Sequence, residues 1–146
     1  MPKFIEDKMI IGNLELCSLP ELGIHDLEVR IDTGAKTSSL HVDNLQRFRR
    51  DGKVYVQYDL HPDIYHLEQV VHCESLVHDS RRIKSSNGDS EQRCVIQTLF
   101  RLGDKEWPIE ITLSNRQDMT YMMLLGREAM INRVFVDPSR TFIVDN

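Results

Sequence analysis

Residues 29–41 read VRIDTGAKTSSLH. The opening positions alternate, Val29 and Ile31 on one side and Arg30 on the other, as in a half-buried strand. That strand runs into Asp32, which is followed at once by Thr33 and Gly34. A strand closed off by a turn explains the pattern, and so does a carboxylate set at a strand end for catalysis. The other segments of the chain decide between the two.

A chain of 146 residues is one ordinary domain, residues 1–146, long enough for a core without staples. The net charge of −5 argues against a nucleic-acid or anionic-membrane partner. Three cysteines, Cys17, Cys73 and Cys94, form no CxxC and no even-numbered framework, so they read as reduced thiols of a cytoplasmic protein. Cys73 and Cys94 fit small buried apolar residues better than nucleophiles. The N-terminal MPKFIEDKMIIG lacks the continuous apolar run of a signal peptide, and no segment approaches a membrane span.

Strands dominate the chain. KMIIGNLEL reads as a short apolar strand, followed by a turn on Pro20 and Gly23 in LPELGI. LEVRID and GKVYVQYDL alternate, the latter after the turn pair Asp51-Gly52, and EQVVHCESLV is a weaker strand. RRIKSSNGDSEQRCVIQTLFRL holds Asn87-Gly88 between two strand-like arms, the signature of a hairpin. WPIEITLS alternates after Gly103-Asp104, YMMLLG is wholly apolar, and REAMINR has helical spacing just after Gly126. RVFVDP and RTFIV read as a closing hairpin-like pair around Pro138. About eight to ten strands and one short helix predict an all-β sandwich or barrel.

An Asp-Thr-Gly triplet alone occurs by chance in many proteins. Here it is joined by a second element, MMLLGR, an apolar strand ending in Gly126-Arg127 and entering a helix. Together the two resemble retroviral-type aspartic proteases, the retropepsins, which pair DTGA with a later apolar-apolar-Gly-Arg-helix. The chain is still more similar to a bacterial retropepsin-like group often labelled "ATP-dependent zinc protease" and associated with ATP-grasp glutamate ligases. LPELGI, IDTGAKTSSLH, SSNG, W-x-IEITLSNR and MLLGREAM occur here in that group's order, from Leu19 to about Pro138.

The resemblance implies a closed retropepsin-like barrel and an aspartic endopeptidase acting on a protein or peptide substrate without a cofactor. Asp32 takes the catalytic role, with Thr33 and Gly34 in support. Two such carboxylates held close cannot both ionise, so the pair shares a proton. Gly34 lets backbone amides approach the carboxylate, and Thr33 bonds the opposing loop. Ala35 stands where pepsin-like relatives often carry serine, so one hydroxyl donor is missing and the dyad is expected to be less acidic. No second Asp-Thr/Ser-Gly exists, since Asp79-Ser80 precedes Arg81 and Asp89-Ser90 precedes Glu91. The implied form is therefore a homodimer with one Asp32 from each subunit on the two-fold axis. Ser86, Asn87 and Gly88 fall where retropepsins carry the flap that closes over substrate, and Ala35, Gly126 and Arg127 support the site.

One position departs from the pattern. Retropepsins place an acid after DTGA for the Gly-Arg arginine, whereas Lys36 stands here, so Arg127 needs another partner: Asp43, a second acid, or backbone carbonyls. Two rival functions follow from the same resemblance. One is a non-catalytic module that binds an ATP-grasp ligase; the other is a zinc-dependent peptidase using His61, His66, His72 and His78. No HExxH is present, and six residues of strand span roughly 20 Å, too far for His72 and His78 to share an ion along one strand. His41 reads as a packing residue. GAKT lacks the GxxxxGK[ST] spacing of a nucleotide loop, so any link to ATP comes through a partner.

Overall fold

The structure, a computed structural model, describes residues 4–63, 65–84, 88–115 and 120–144. Its centre is a closed six-stranded barrel. In chain order these strands are preceded by two short ones, β1 (Phe4–Ile5) and β2 (Lys8–Ile11), and begin with β3 (Leu14–Leu19) and β4 (Ile24–Ile31). The 3-10 turn Pro20–Leu22 joins β3 to β4 and ends on Gly23 at φ 72°, a left-handed conformation that glycine adopts without strain. Next come β5 (Ser38–His41), the three-stranded insertion of β6 (Asp43–Arg50), β7 (Lys53–Leu60) and β8 (Val71–Leu76), then β9 (Asp79–Lys84), β10 (Ser90–Leu102) and β11 (Lys105–Ser114). The chain continues through β12 (Met123–Leu125), the single-turn helix α1 (Arg127–Met130) and β13 (Val134–Val136).

Around the barrel the order is β11-β5-β12-β4-β3-β10, closed by pairing of β10 with β11. Two of these pairings are parallel, β5 with β11 and β4 with β12. The interior is filled by Leu19, Val29, Leu40, Ile96, Phe100, Ile111, Met123 and Leu125, all buried. Alternation along each strand sends them to one face, and each buried large side chain is worth roughly 1.5–3 kcal/mol. Burial also keeps all three cysteines out of reach and pushes the Cys73 thiol up to about 11. No helix of the described residues is long and apolar enough to cross a membrane.

The insertion β6-β7-β8 is a separate antiparallel sheet whose Asp51-Gly52 turn has both residues at positive φ. Asp43 fastens it to the barrel. Its carboxylate lies 2.8 Å from His61 Nε2 and 3.7 Å from His41 Nε2, and accepts from Asn115 Nδ2 at 3.1 Å.

Several sequence expectations need correction. KMIIGNLEL is two strands, broken at Gly12-Asn13, and the strands of the described residues number thirteen rather than eight to ten. RTFIV is not a strand: β13 pairs in parallel with β2, and residues 140–144 run irregularly over the Gly12–Glu15 bend. REAMINR yields only the single turn of α1. β5 and β6 went unread, because SSLH is polar and β6 is largely exposed.

Two isolated main-chain bonds, Phe142 N–H to the Leu14 carbonyl and Asn13 N–H to the Arg140 carbonyl, both 2.8 Å, hold the tail together with Glu15. Alternation on β3 sends Glu15 inward with Cys17 and Leu19, and its side chain is fully buried. The carboxylate accepts the amides of Gly12 at 2.7 Å, Ile143 at 3.2 Å and Val144 at 3.2 Å. A Cβ on Gly12 would stand 2.3 Å from the Arg140 carbonyl oxygen, so only glycine lets the tail lie this close. Each buried donor left without a partner costs about 1–3 kcal/mol. Glu15→Ala is therefore expected to lower unfolding stability by about 3 kcal/mol or more, with amide exchange at Ile143 and Val144 accelerating first. Glu15→Gln, which keeps an acceptor oxygen, recovers part of the loss in the same urea titration.

Candidate active site

Asp32 is half-buried at the end of β4, beside the end of β12. Its backbone amide donates to the Leu125 carbonyl at 2.9 Å, and its Oδ1 accepts the Gly34 amide at 3.0 Å. A Cβ on Gly34 would lie 3.3 Å from that oxygen, so the glycine permits the close amide approach expected of it. Thr33 and Gly34 themselves face solvent, and Ala35 is half-buried. Ala35 closes the turn by donating its amide to the Asp32 carbonyl at 3.2 Å.

The second motif interlocks with this loop. Successive amides of Arg127 and Glu128 donate to the carbonyls of Ala35 and Lys36, at 2.8 and 3.1 Å. Gly126 lies flat beneath the loop: a Cβ there would be 2.6 Å from the Thr37 carbonyl carbon and 2.8 Å from the Ser38 amide. The backbone at Gly126 is ordinary extended chain, so proximity, not dihedral freedom, demands the glycine. Arg127 finds its partners among backbone carbonyls, donating to Gly34 at 3.2 Å and Thr33 at 3.5 Å. Lys36, in the place of the usual acid, reaches Glu128 at 3.7 Å across an exposed surface where such a pair adds little. Trp107 on β11 seats α1 by donating its indole N–H to the Ala129 carbonyl at 2.9 Å.

Sequence reasoning missed two polar residues beneath the loop. Ser38 and Thr112 are both buried; Ser38 Oγ accepts the Gly126 amide at 2.9 Å, and Thr112 Oγ1 donates to the Ser38 carbonyl at 3.1 Å. Their signal was hydroxyl side chains standing at core-facing strand positions.

The hairpin between the two motifs has its arms in β9 and β10, paired from Val95↔Asp79 to Ser90↔Lys84. Gly88 has φ 92°, as a turn residue should, while Ser86 and Asn87 lie outside the described residues. Arg81 ties the first arm to β11: it bonds Glu110 at 2.6 Å and Asp79 at 2.7 Å, and His78 also reaches Glu110 at 3.2 Å. Hydrogen bonds from Arg81 hold the Glu110 and Asp79 carboxyls below the usual carboxylate range.

The histidines do not gather. His61 bonds Asp43, His72 bonds Asp59, His78 lies beside Glu110 and His66 beside Asp63. Among the described residues no three His, Cys, Asp or Glu side chains are placed to hold a metal ion. His41 stands at the far end of β5 from the Asp32 loop, its amide bonded to Met122.

A closed barrel with Asp-Thr-Gly seated against a Gly-Arg helix start is the architecture of retropepsin-like aspartic endopeptidases. The chain belongs to the RimB-like family of these proteins, which it matches over residues 10–146. A crystal structure of a Legionella pneumophila protein of unknown function has the same fold, with a TM-score of 0.76 and 30% identity, covering 92% of this chain and 96% of that one. Two curated relatives carry the name probable alpha-L-glutamate ligase. The protein of Shewanella pealeana is 48% identical over 94% of this chain and 30% of its own length. That of Desulfotalea psychrophila is 52% identical over 90% of this chain and 28% of its own. The chain thus spans under a third of the length of the curated relatives it matches.

Two tests follow from this geometry. Gly126→Ala forces the new methyl into backbone, and overpacking of this kind costs roughly 1–3 kcal/mol; its melting temperature should fall further than that of Gly34→Ala, which meets only one carboxylate oxygen. The depressed Glu110 and Asp79 carboxyls contribute stability that is present above their ordinary titration range and lost as pH falls through the lowered values. Arg81→Gln is expected to reduce stability at neutral pH and to flatten its decline on acidification, read by thermal melts across the carboxylate range.

Proposed function

We propose that the protein is an aspartic endopeptidase, hydrolysing peptide bonds with two Asp32 carboxylates contributed by a homodimer. The observation that carries this reading is the seat of Asp32. Its amide is fixed by Leu125 and one carboxylate oxygen by Gly34, while Thr33 and Gly34 remain exposed on the same side. A carboxylate with only a structural duty has no need of a glycine-lined approach at the surface. With one triplet per chain, a second carboxylate comes only from a second copy.

In the dimer the two carboxyl groups share a proton. The ionised one accepts a proton from the water that attacks the peptide carbonyl. The protonated one donates to the carbonyl oxygen as it gains charge. The Gly34 amide keeps the Asp32 carboxylate in one orientation throughout. The hairpin of β9 and β10, with Gly88 at its turn, serves as a flap that closes over the substrate and excludes water. No cofactor enters this chemistry, and the cytoplasm is its proposed compartment.

A second reading has its own support: relatives named as ligases contain this segment as less than a third of their length, so the fold also suits a module that binds an ATP-grasp ligase without cleaving anything. Replacing Asp32 separates the two. General-base assistance is worth about 10²–10⁴-fold, so Asp32→Asn is expected to lose at least that much peptidase activity while remaining a folded dimer in sedimentation. Specific activity of the wild type should fall on dilution as the dimer separates. Activity carried by a monomer, or retained in Asp32→Asn, overturns the endopeptidase reading; a folded dimer with no hydrolysis but tight ligase binding supports the module.

A further inference from the structure

We propose that Ser38 is a positioning residue for Asp32, acting through the peptide group that joins Leu125 to Gly126. The inference rests on the endopeptidase reading above and concerns how accurately the carboxylate is placed. A peptide group is a rigid plane, with its C=O and N–H on opposite edges. The C=O of this plane accepts the Asp32 amide at 2.9 Å. Its N–H donates to Ser38 Oγ at 2.9 Å. The two bonds grip one plate from both sides, so any rotation of the plate that releases Ser38 also shifts the backbone of Asp32.

The other links between the loop and the second motif are different in kind. The amides of Arg127 and Glu128 donate to main-chain carbonyls, which no substitution removes. The Arg127 guanidinium reaches the Thr33 and Gly34 carbonyls from the exposed side. Ser38, at 1% exposure, meets the Leu125–Gly126 plane from the buried side. Its own backbone is fixed from the opposite direction by Thr112, also at 1% exposure, whose hydroxyl donates to the Ser38 carbonyl at 3.1 Å. The sequence of contacts runs from β11 through Thr112 and Ser38 to the plane and then to Asp32. Neither hydroxyl lies on the exposed side of the loop with Thr33 and Gly34, so their role is placement.

Accurate placement shows in turnover rather than in binding, because a displacement of about 1 Å can cost on the order of 10²-fold in rate. The experiment measures kcat and KM separately, per folded dimer, for wild type, Ser38→Ala, Ser38→Thr and Asp32→Asn, with amide exchange followed at Asp32 and Gly126. Ser38→Ala is expected to lower kcat by roughly 10–100-fold with KM little changed, and to speed exchange at both amides together. Ser38→Thr, which keeps the acceptor, should restore both. If Ser38→Ala does not fold, Thr112→Val carries the test, since it removes the donor to Ser38 and keeps the shape; a lowered kcat supports the inference. An unchanged kcat in the folded variant, with Asp32→Asn inactive, overturns this inference alone. Full activity in Asp32→Asn overturns the endopeptidase reading and the placement of Asp32 with it.

Discussion

Backbone hydrogen bonds exchanged between residues 32–38 and residues 125–128 hold the two halves of the chain in register. Asp32 donates to the Leu125 carbonyl, Gly126 to the Ser38 hydroxyl, Arg127 to the Ala35 carbonyl and Glu128 to the Lys36 carbonyl. Such a crossing demands that the segments touch, and Gly126 is the point of contact. The parallel pairing of β4 with β12 brings the segments together at one end of the barrel. From that end the short helix departs at once, because Trp107 and the buried Met130 fix its other side.

Two carboxylates away from this crossing show different solutions to the same electrostatic problem. Glu15 lies fully inside, where its side-chain oxygens accept three main-chain N–H groups. Asp43 remains partly exposed and combines an amide side chain with a histidine close by. A polar group removed from water without partners is costly, and both arrangements supply partners from segments that are remote in sequence. Each carboxylate therefore joins pieces that hydrophobic packing alone would leave free to slide: the C-terminal tail in one case, the inserted sheet in the other.

Much of this was legible in the sequence. Alternation in LEVRID, GKVYVQYDL and WPIEITLS gave strands, the Asn87-Gly88 pair marked a hairpin, and DTGA with LLGR carried the resemblance to the retropepsin-like family. The partners of Arg127 were foreseen only as alternatives; carbonyls prevailed because the loop presents them within reach. What escaped notice shares one physical cause. SSLH lacks apolar alternation, yet it is an inner strand of the barrel: the Ser38 hydroxyl accepts the Gly126 amide and the Ser38 carbonyl accepts the Thr112 hydroxyl. RTFIV has strand composition, yet it is irregular: its amides at Phe142, Ile143 and Val144 donate to the Leu14 carbonyl and the Glu15 side chain rather than to a strand ladder. Pattern reading sees which side of an element is apolar, but not which distant group will satisfy its polar atoms.

The span of chain between the two halves of the crossing also governs when the site can exist. Ser38 and Gly126 are 88 residues apart, and the antiparallel pairing of β5 with β12 that brings them together closes a long loop whose entropy is spent before any contact rewards it. A ribosome that has released the first half of the chain has made Asp32 but not the plane against which it rests. The strand before Asp32, β4, has its partner β3 already made, but β12 is still to come. The backbone of Asp32 is fixed against that plane only once residues 125 and 126 have been made and β12 has paired with β4.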